Sequence, residues 1–170
     1  MTIQQNIKLA TDAVVFGYDK TGIYLLLIER KHPSRGISWA LPGGFVEDNE
    51  SAEQAVVREL KEETSLSINA MKQFHTFSEV KRDPRMRVVS IAYFILTDMK
   101  GAHPQAADDA KNVQWVLLSE IPPLAFDHSK IVALAIENLK KSVASFDIDC
   151  FNETPNLDQI KLIGKLLNKV

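Results

Sequence analysis

Cysteine is nearly absent from this sequence: Cys150 is the one cysteine among 170 residues. That excludes an intramolecular disulfide and a cysteine-based zinc site, and it suits a reducing compartment. Long apolar runs are missing as well. No stretch approaches the ~20 apolar residues that a bilayer span needs, so no membrane partner is expected. Met1 to Ala10 has neither the charged start nor the apolar core of a signal peptide, and the expected address is the cytoplasm. A strong charge of either sign is lacking, since the net charge is −2. Without a global basic field, a nucleic-acid role would need a local patch. Internal repeats and low-complexity segments are absent.

What is present is the balance of an ordinary globular chain, 45 % apolar and 25 % charged, long enough to bury a core without staples. Lys8 to Tyr18 and Ile23 to Ile28 are rich in β-branched and aromatic residues and read as strands. Asp19 to Gly22 is the turn of a hairpin between them. Lys31 to Ser38 reads as a loop, and Pro42-Gly43-Gly44 as a break after Trp39-Ala40-Leu41. The spacing predicts a helix over Ser51 to Thr64, where Ser51 and Gln54 form a capping-box pattern. Strands are expected over Ile68 to Ser78, Arg87 to Leu96 and Val113 to Leu118, with a helix over Ser129 to Ser142. Asn156 is positioned to cap a last helix that carries Leu157, Ile160, Ile163 and Leu167 on one face. Strands and helices do not alternate strictly, so the fold class is α+β, a mixed-sheet sandwich. Residues 1–145 are expected to form the main domain, and 146–170 a C-terminal extension with a short amphipathic helix.

The helix over Ser51 to Thr64 carries the chemistry. At ~100° per residue, Glu59, Glu62 and Glu63 fall within about a third of its circumference. Ala52 and Val56 share that sector, so the carboxylates face inward with apolar groups. Three such carboxylates repel and would take up protons unless a cation sat among them. Hard oxygen ligands suit Mg²⁺, with Mn²⁺ as a substitute. Arg58 offsets part of the charge and orients a neighbouring carboxylate.

These residues resemble a known signature. The Nudix pattern is G-x5-E-x7-R-E-U-x-E-E-x-G-U, with U aliphatic. Here Gly44 is followed by Glu50 and then by Arg58-Glu59-Leu60-Lys61-Glu62-Glu63-Thr64-Ser65-Leu66. Only Ser65 departs, standing where glycine is expected at the helix end; a left-handed backbone there costs serine about 1 kcal/mol. The resemblance implies a Nudix-type α/β/α sandwich with a catalytic loop-helix. It implies a metal-dependent hydrolase of nucleoside diphosphates linked to another group, with Arg58, Glu59, Glu62 and Glu63 as catalytic residues. The metal ligands it implies are Glu59, Glu62, Glu63 and the Gly43 carbonyl. The base is one of the helix glutamates or an acid from a distant loop, Asp108 or Asp109.

Further stretches resemble the ADP-ribose pyrophosphatase-like branch: Leu41 to Glu47, Arg82 to Arg85 with Val88-Val89-Ser90, and Leu124 to His128. ADP-ribose, cleaved to AMP and ribose 5-phosphate, is the substrate this implies. Arg82 and Arg85, which straddle Pro84, are candidates for bidentate phosphate or ribose contacts. Phe45, His128 and Arg35 are further candidates for binding substrate, whereas Trp39 reads as core packing. Rival readings are another nucleotide substrate, such as an oxidised nucleoside triphosphate or a sugar nucleotide, or the ADP-ribose-sensing Nudix domain of a transcriptional regulator. Lys161, Lys165 and Lys169 read as a solvated face. The apolar face of the last helix must cover its own domain or a second subunit; the family resemblance implies a homodimer.

Overall fold

The computed structural model describes residues 6–107 and 110–169. Eleven-residue strand β1 (Lys8–Tyr18) is the axis of a 7-stranded mixed sheet. It runs parallel to β6 (Val88–Asp98) along its whole length, from Lys8 opposite Val88 to Tyr18 opposite Asp98. Antiparallel neighbours extend the sheet both ways: β2 (Ile23–Ser34) and β3 (Ile37–Ala40) beyond β1, and β5 (Lys72–Phe77) beyond β6. Two further strands lie off that path, β4 (Gly43–Phe45) against β1 and β7 (Ala110–Leu117) against β2.

Helices cover both faces. On one face Val14, Phe16, Leu25, Leu27, Phe94 and Leu96 pack with residues of α2 (His128–Ala144) and α3 (Leu157–Leu167). On the other, Ala13, Val15, Leu26 and Ile95 pack with Val56 and Leu60 of α1 (Ala52–Thr64). That explains why β1 reads as a continuous apolar run: a strand covered on both sides has no solvent face to alternate with. The α+β class and the mixed-sheet sandwich are therefore observed. Among the described residues no helix is long and apolar enough to cross a membrane.

Three local expectations are corrected. Residues 31–38 are not a loop, because β2 continues to Ser34 and turns into β3. Arg35 (φ 50°) and Gly36 (φ 82°) both take positive φ, and Ser34 pairs with Ile37. That is a two-residue hairpin whose left-handed turn suits the strand twist. The glycines after Pro42 do not end strand structure. Gly43 and Gly44 belong to β4, where Asp12 faces Gly43 and Thr11 faces Gly44 across the ladder. A Cβ on Gly43 would strike the Thr11 carbonyl, so the missing side chain permits the pairing. The fifth strand is shorter than expected and begins at Lys72.

The last helix folds back on its own chain. Asn156 and Gln159 cap it reciprocally, and Ile163, Leu166 and Leu167 are buried in the same core as α2. Leu157 is exposed instead of buried, because it sits in the first turn, before the helix reaches that core. Lys161, Lys165 and Lys169 face solvent.

Candidate active site

Helix α1 begins where the sequence places it. Ser51 accepts from the Gln54 amide, and Gln54 Oε1 accepts from the Ser51 amide. It ends at Ser65, whose backbone is left-handed at φ 60°. The glycine-to-serine departure thus falls on a position where glycine is the unstrained residue.

The three signature carboxylates differ in depth. Glu63 is buried, Glu59 is half-buried and Glu62 lies at the exposed rim. Glu63 Oε2 accepts from the Gly43 amide at 2.9 Å, tying α1 to β4. Glu59 lies against Gly44, where a Cβ would strike its carboxylate. Burial pushes the Glu59 carboxyl above its ordinary range, and the nearby charges of Glu62 and Glu50 add to that despite Arg58.

Arg58 binds this acidic group together. Its Nη1 donates to Glu59 Oε1 at 2.9 Å and to Glu62 Oε2 at 3.0 Å. Its Nη2 donates to Glu50 Oε1 at 2.6 Å and to the Phe45 carbonyl at 3.1 Å. The Arg58 guanidinium, together with the Glu47 amide, holds the Glu50 pKa down to about 2. Among the described residues, no group of three acidic, histidine or cysteine side chains stands ready in metal-site geometry. The donors nevertheless fit a divalent cation in kind. They are hard carboxylate oxygens set against a glycine strand that lets backbone and carboxylate approach closely.

The helix and β4 form one end of a cleft of about 280 Å³. Gly43, Phe45, Glu59, Glu63, Arg82, Arg85 and His128 all line it. Arg35 does not: it lies in the β2–β3 turn, on a neighbouring depression beside Pro84 and Lys130. Asp108 and Asp109 lie outside the described residues.

Three expected substrate contacts are engaged within the protein. Arg82 is only 5 % exposed at its side chain. Its Nε and Nη2 donate to the Asp127 carboxylate at 2.9 and 2.7 Å, and Nη2 also reaches Asp12 at 3.2 Å. The bidentate contact expected of Arg82 thus goes to Asp127. His128 Nδ1 accepts from the Leu41 amide at 2.9 Å, and its Nε2 lies 3.3 Å from Asp12 Oδ1. Burial pushes the imidazole below its ordinary value, against the pull of Asp12 and Asp127. Because Nδ1 accepts from an amide it carries no proton, so the imidazole is neutral with its proton on Nε2. Arg85 pairs with Asp83 through Nε at 3.0 Å and Nη2 at 2.7 Å, and lies 5.2 Å from the Phe126 ring centre. Trp39 packs against the core, as its sequence context suggests.

The sequence reading missed Asp12, Arg30 and Phe126. Asp12 had a visible signal, a charge in the middle of an apolar strand. Arg30 lies 5.2 Å from the Phe126 ring centre, so that ring has two guanidinium groups beside it at the basic end of the cleft. Phe126 takes φ 55°, a conformation that its residue type does not announce.

Comparison with known proteins agrees with this arrangement. The NUDIX domain family matches residues 7–135. The ADP-ribose pyrophosphatase of Methanocaldococcus jannaschii is 41 % identical over 124 residues, 73 % of this chain and 70 % of that protein. A MutT/nudix family protein from Enterococcus faecalis superimposes with a TM-score of 0.84 at 29 % identity, covering 100 % of this chain and 77 % of that one. The NUDIX domain of Shewanella oneidensis NrtR, in its complex with ADP ribose, has a TM-score of 0.73 at 32 % identity, covering 80 % of this chain and 90 % of that one.

Proposed function

The chain belongs to the NUDIX domain family and is a Nudix pyrophosphohydrolase; we propose that it hydrolyses ADP-ribose to AMP and ribose 5-phosphate with the help of a divalent cation. The observation that carries this is the joint placement of the α1 carboxylates and the β4 glycines, with Glu63 bonded to the Gly43 amide at the end of the cleft. The relatives that are named for ADP-ribose, or seen with it, support the substrate.

In this reading Glu59, Glu62, Glu63 and the Gly43 carbonyl would hold Mg²⁺, with Mn²⁺ as a substitute. The cation, when bound, supplies a Lewis acid for the diphosphate oxygens and for the attacking water. Arg58 orients Glu59 and Glu62 through its Nη1 and secures the loop through Glu50 and the Phe45 carbonyl. The proton of the attacking water passes to a glutamate of α1 or to Asp109. Phe45 lines the carboxylate end of the cleft beside the reacting diphosphate. Arg85 and Phe126 offer a cation and a π face to the remote part of the substrate. The cytoplasmic address and the homodimer rest on the sequence reading alone.

Ligand sensing without turnover is the second reading, favoured by the likeness to the NrtR domain in its ADP-ribose complex. The complete set of Glu59, Glu62 and Glu63 favours hydrolysis. Incubating the purified chain with ADP-ribose, a sugar nucleotide and an oxidised nucleoside triphosphate, each with Mg²⁺ or with chelator, separates these readings. Cation-dependent release of AMP, fastest from ADP-ribose, is the expected result. Tight binding of ADP-ribose without products identifies a sensor, and faster turnover of another nucleotide displaces ADP-ribose as substrate.

A further inference from the structure

We propose that Asp12 and His128 form a buried positioning pair, which holds the Leu41–Gly44 backbone in the place the catalytic centre needs. The proposal rests on the reading of Glu59, Glu62, Glu63 and Gly43 given above and assigns these two residues a role within it.

The stretch is tethered from both faces of the sheet. From the α2 side, His128 Nδ1 accepts from the Leu41 amide at 2.9 Å. From the α1 side, Glu63 Oε2 accepts from the Gly43 amide at 2.9 Å. Between them the Pro42 carbonyl accepts from the Ala13 amide at 2.8 Å. Proline has no amide hydrogen, so His128 and Glu63 hold every backbone donor from Leu41 to Gly43.

The imidazole can play this part only with Nδ1 unprotonated, and its other nitrogen fixes that. Nε2 faces Asp12 Oδ1 at 3.3 Å, in a pair whose side chains are 6 % and 9 % exposed. Asp12 is in turn fixed by Ser90, whose Oγ donates to Oδ2 at 2.6 Å, and by Arg82 Nη2 at 3.2 Å. A carboxylate held this way selects the tautomer and ring orientation of its histidine, as outer-shell partners do in metal sites. Asp12 also faces Gly43 across the β1–β4 ladder. One residue therefore sets the strand partner of Gly43 and the ring that holds Leu41.

The test uses the full chain with His128→Ala, which removes the acceptor, and His128→Asn, which restores one near the Nδ1 position. Where His128→Ala does not fold, His128→Gln takes its place, since it reaches toward Asp12 but puts no acceptor at Nδ1. Backbone amide exchange by NMR, global unfolding, and kcat and KM for ADP-ribose with Mg²⁺ are measured on each. The Leu41 amide is expected to exchange roughly 10-fold faster or more in His128→Ala. The value of kcat is expected to fall about 10–100-fold with little change in KM, and His128→Asn to recover most of both. A histidine that merely fills the core predicts otherwise: changes at Leu41 no larger than the global loss of stability, with Asn no better than Ala. That result overturns the proposal. If the wild-type chain cleaves no ADP-ribose, the substrate reading fails, and Leu41 exchange still decides whether the pair positions the backbone.

Discussion

The amide of Gly43 donates to Glu63 Oε2 at 2.9 Å, a bond between residues twenty positions apart that joins β4 to α1. A carboxylate placed this way is oriented before any ligand arrives. It also makes the glycine strand and the acidic helix one unit, so a change on either side is felt by both. Glu63→Gln keeps an acceptor for that amide but removes the charge, and Glu62→Gln removes charge from the rim. Both variants are expected to fold normally and to lose turnover by orders of magnitude, measured as AMP release under saturating Mg²⁺. Near-normal rates in both would remove the proposed metal mechanism.

Gly44 tests the packing side of the same unit. A Cβ there would strike the Glu59 carboxylate. Gly44→Ala is expected to push Glu59 aside and lower kcat by about tenfold or more, since small misplacements of catalytic groups are costly. Steady-state kinetics beside a thermal melt checks this: the rate should fall more than the stability does.

Arg82 illustrates how a residue suited to substrate binding serves the fold. Its guanidinium is buried against Asp127 and Asp12. Arg82→Met leaves two acidic side chains without that partner, and breaking a buried pair from one side costs about 3–5 kcal/mol. Urea unfolding should show a loss of that order. A phosphate-binding Arg82 would instead raise KM with stability intact.

Ser65 carries the opposite expectation. Its left-handed backbone, φ 60°, is a cost that glycine does not bear. Among the described residues its hydroxyl makes one long contact, 3.3 Å to the Gln105 carbonyl. Ser65→Gly is expected to stabilise the chain by up to about 1 kcal/mol, seen as a rise in Tm of roughly 2–4 °C, with turnover unchanged.

His128 predicts a pH dependence of stability. Burial holds its folded pKa below the usual 6.5, although Asp12 and Asp127 pull it up, with Arg82 and Arg30 opposing them. As pH falls through 6.5 the unfolded chain takes up a proton that the folded chain refuses. This contribution is therefore fully present above 6.5 and is lost toward acid, at up to about 1.4 kcal/mol per pH unit. Denaturant unfolding from pH 7.5 to 5.5 should show that extra slope in the wild type and not in His128→Asn.

Much of this was legible in the residues because it is written in local chemistry. The Ser51–Gln54 capping box and the Asn156 cap are short-range patterns, and each fell where expected; of the three glutamates expected to face inward, Glu59 and Glu63 do, whereas Glu62, one residue round the helix from the core, is exposed at the rim. What escaped was set by tertiary partners. Gly43 and Gly44 read as chain breakers, yet they pair with β1, which at Gly43 leaves no room for a Cβ beside the Thr11 carbonyl. Arg82 read as a phosphate or ribose contact because its bidentate partner, Asp127, is forty-five positions away. Asp12 was the one informative anomaly passed over: a lone acid in an apolar strand needs buried partners, and here it has Ser90, Arg82 and His128.

The most direct test of the account is uptake of Mn²⁺ by the folded chain in the presence of a non-hydrolysable diphosphate analogue of ADP-ribose, followed by electron paramagnetic resonance. Saturable binding in the wild type, strongly weakened in Glu59→Gln, Glu62→Gln and Glu63→Gln, is the predicted result. No uptake by the wild type, or uptake that none of the three changes weakens, would contradict it.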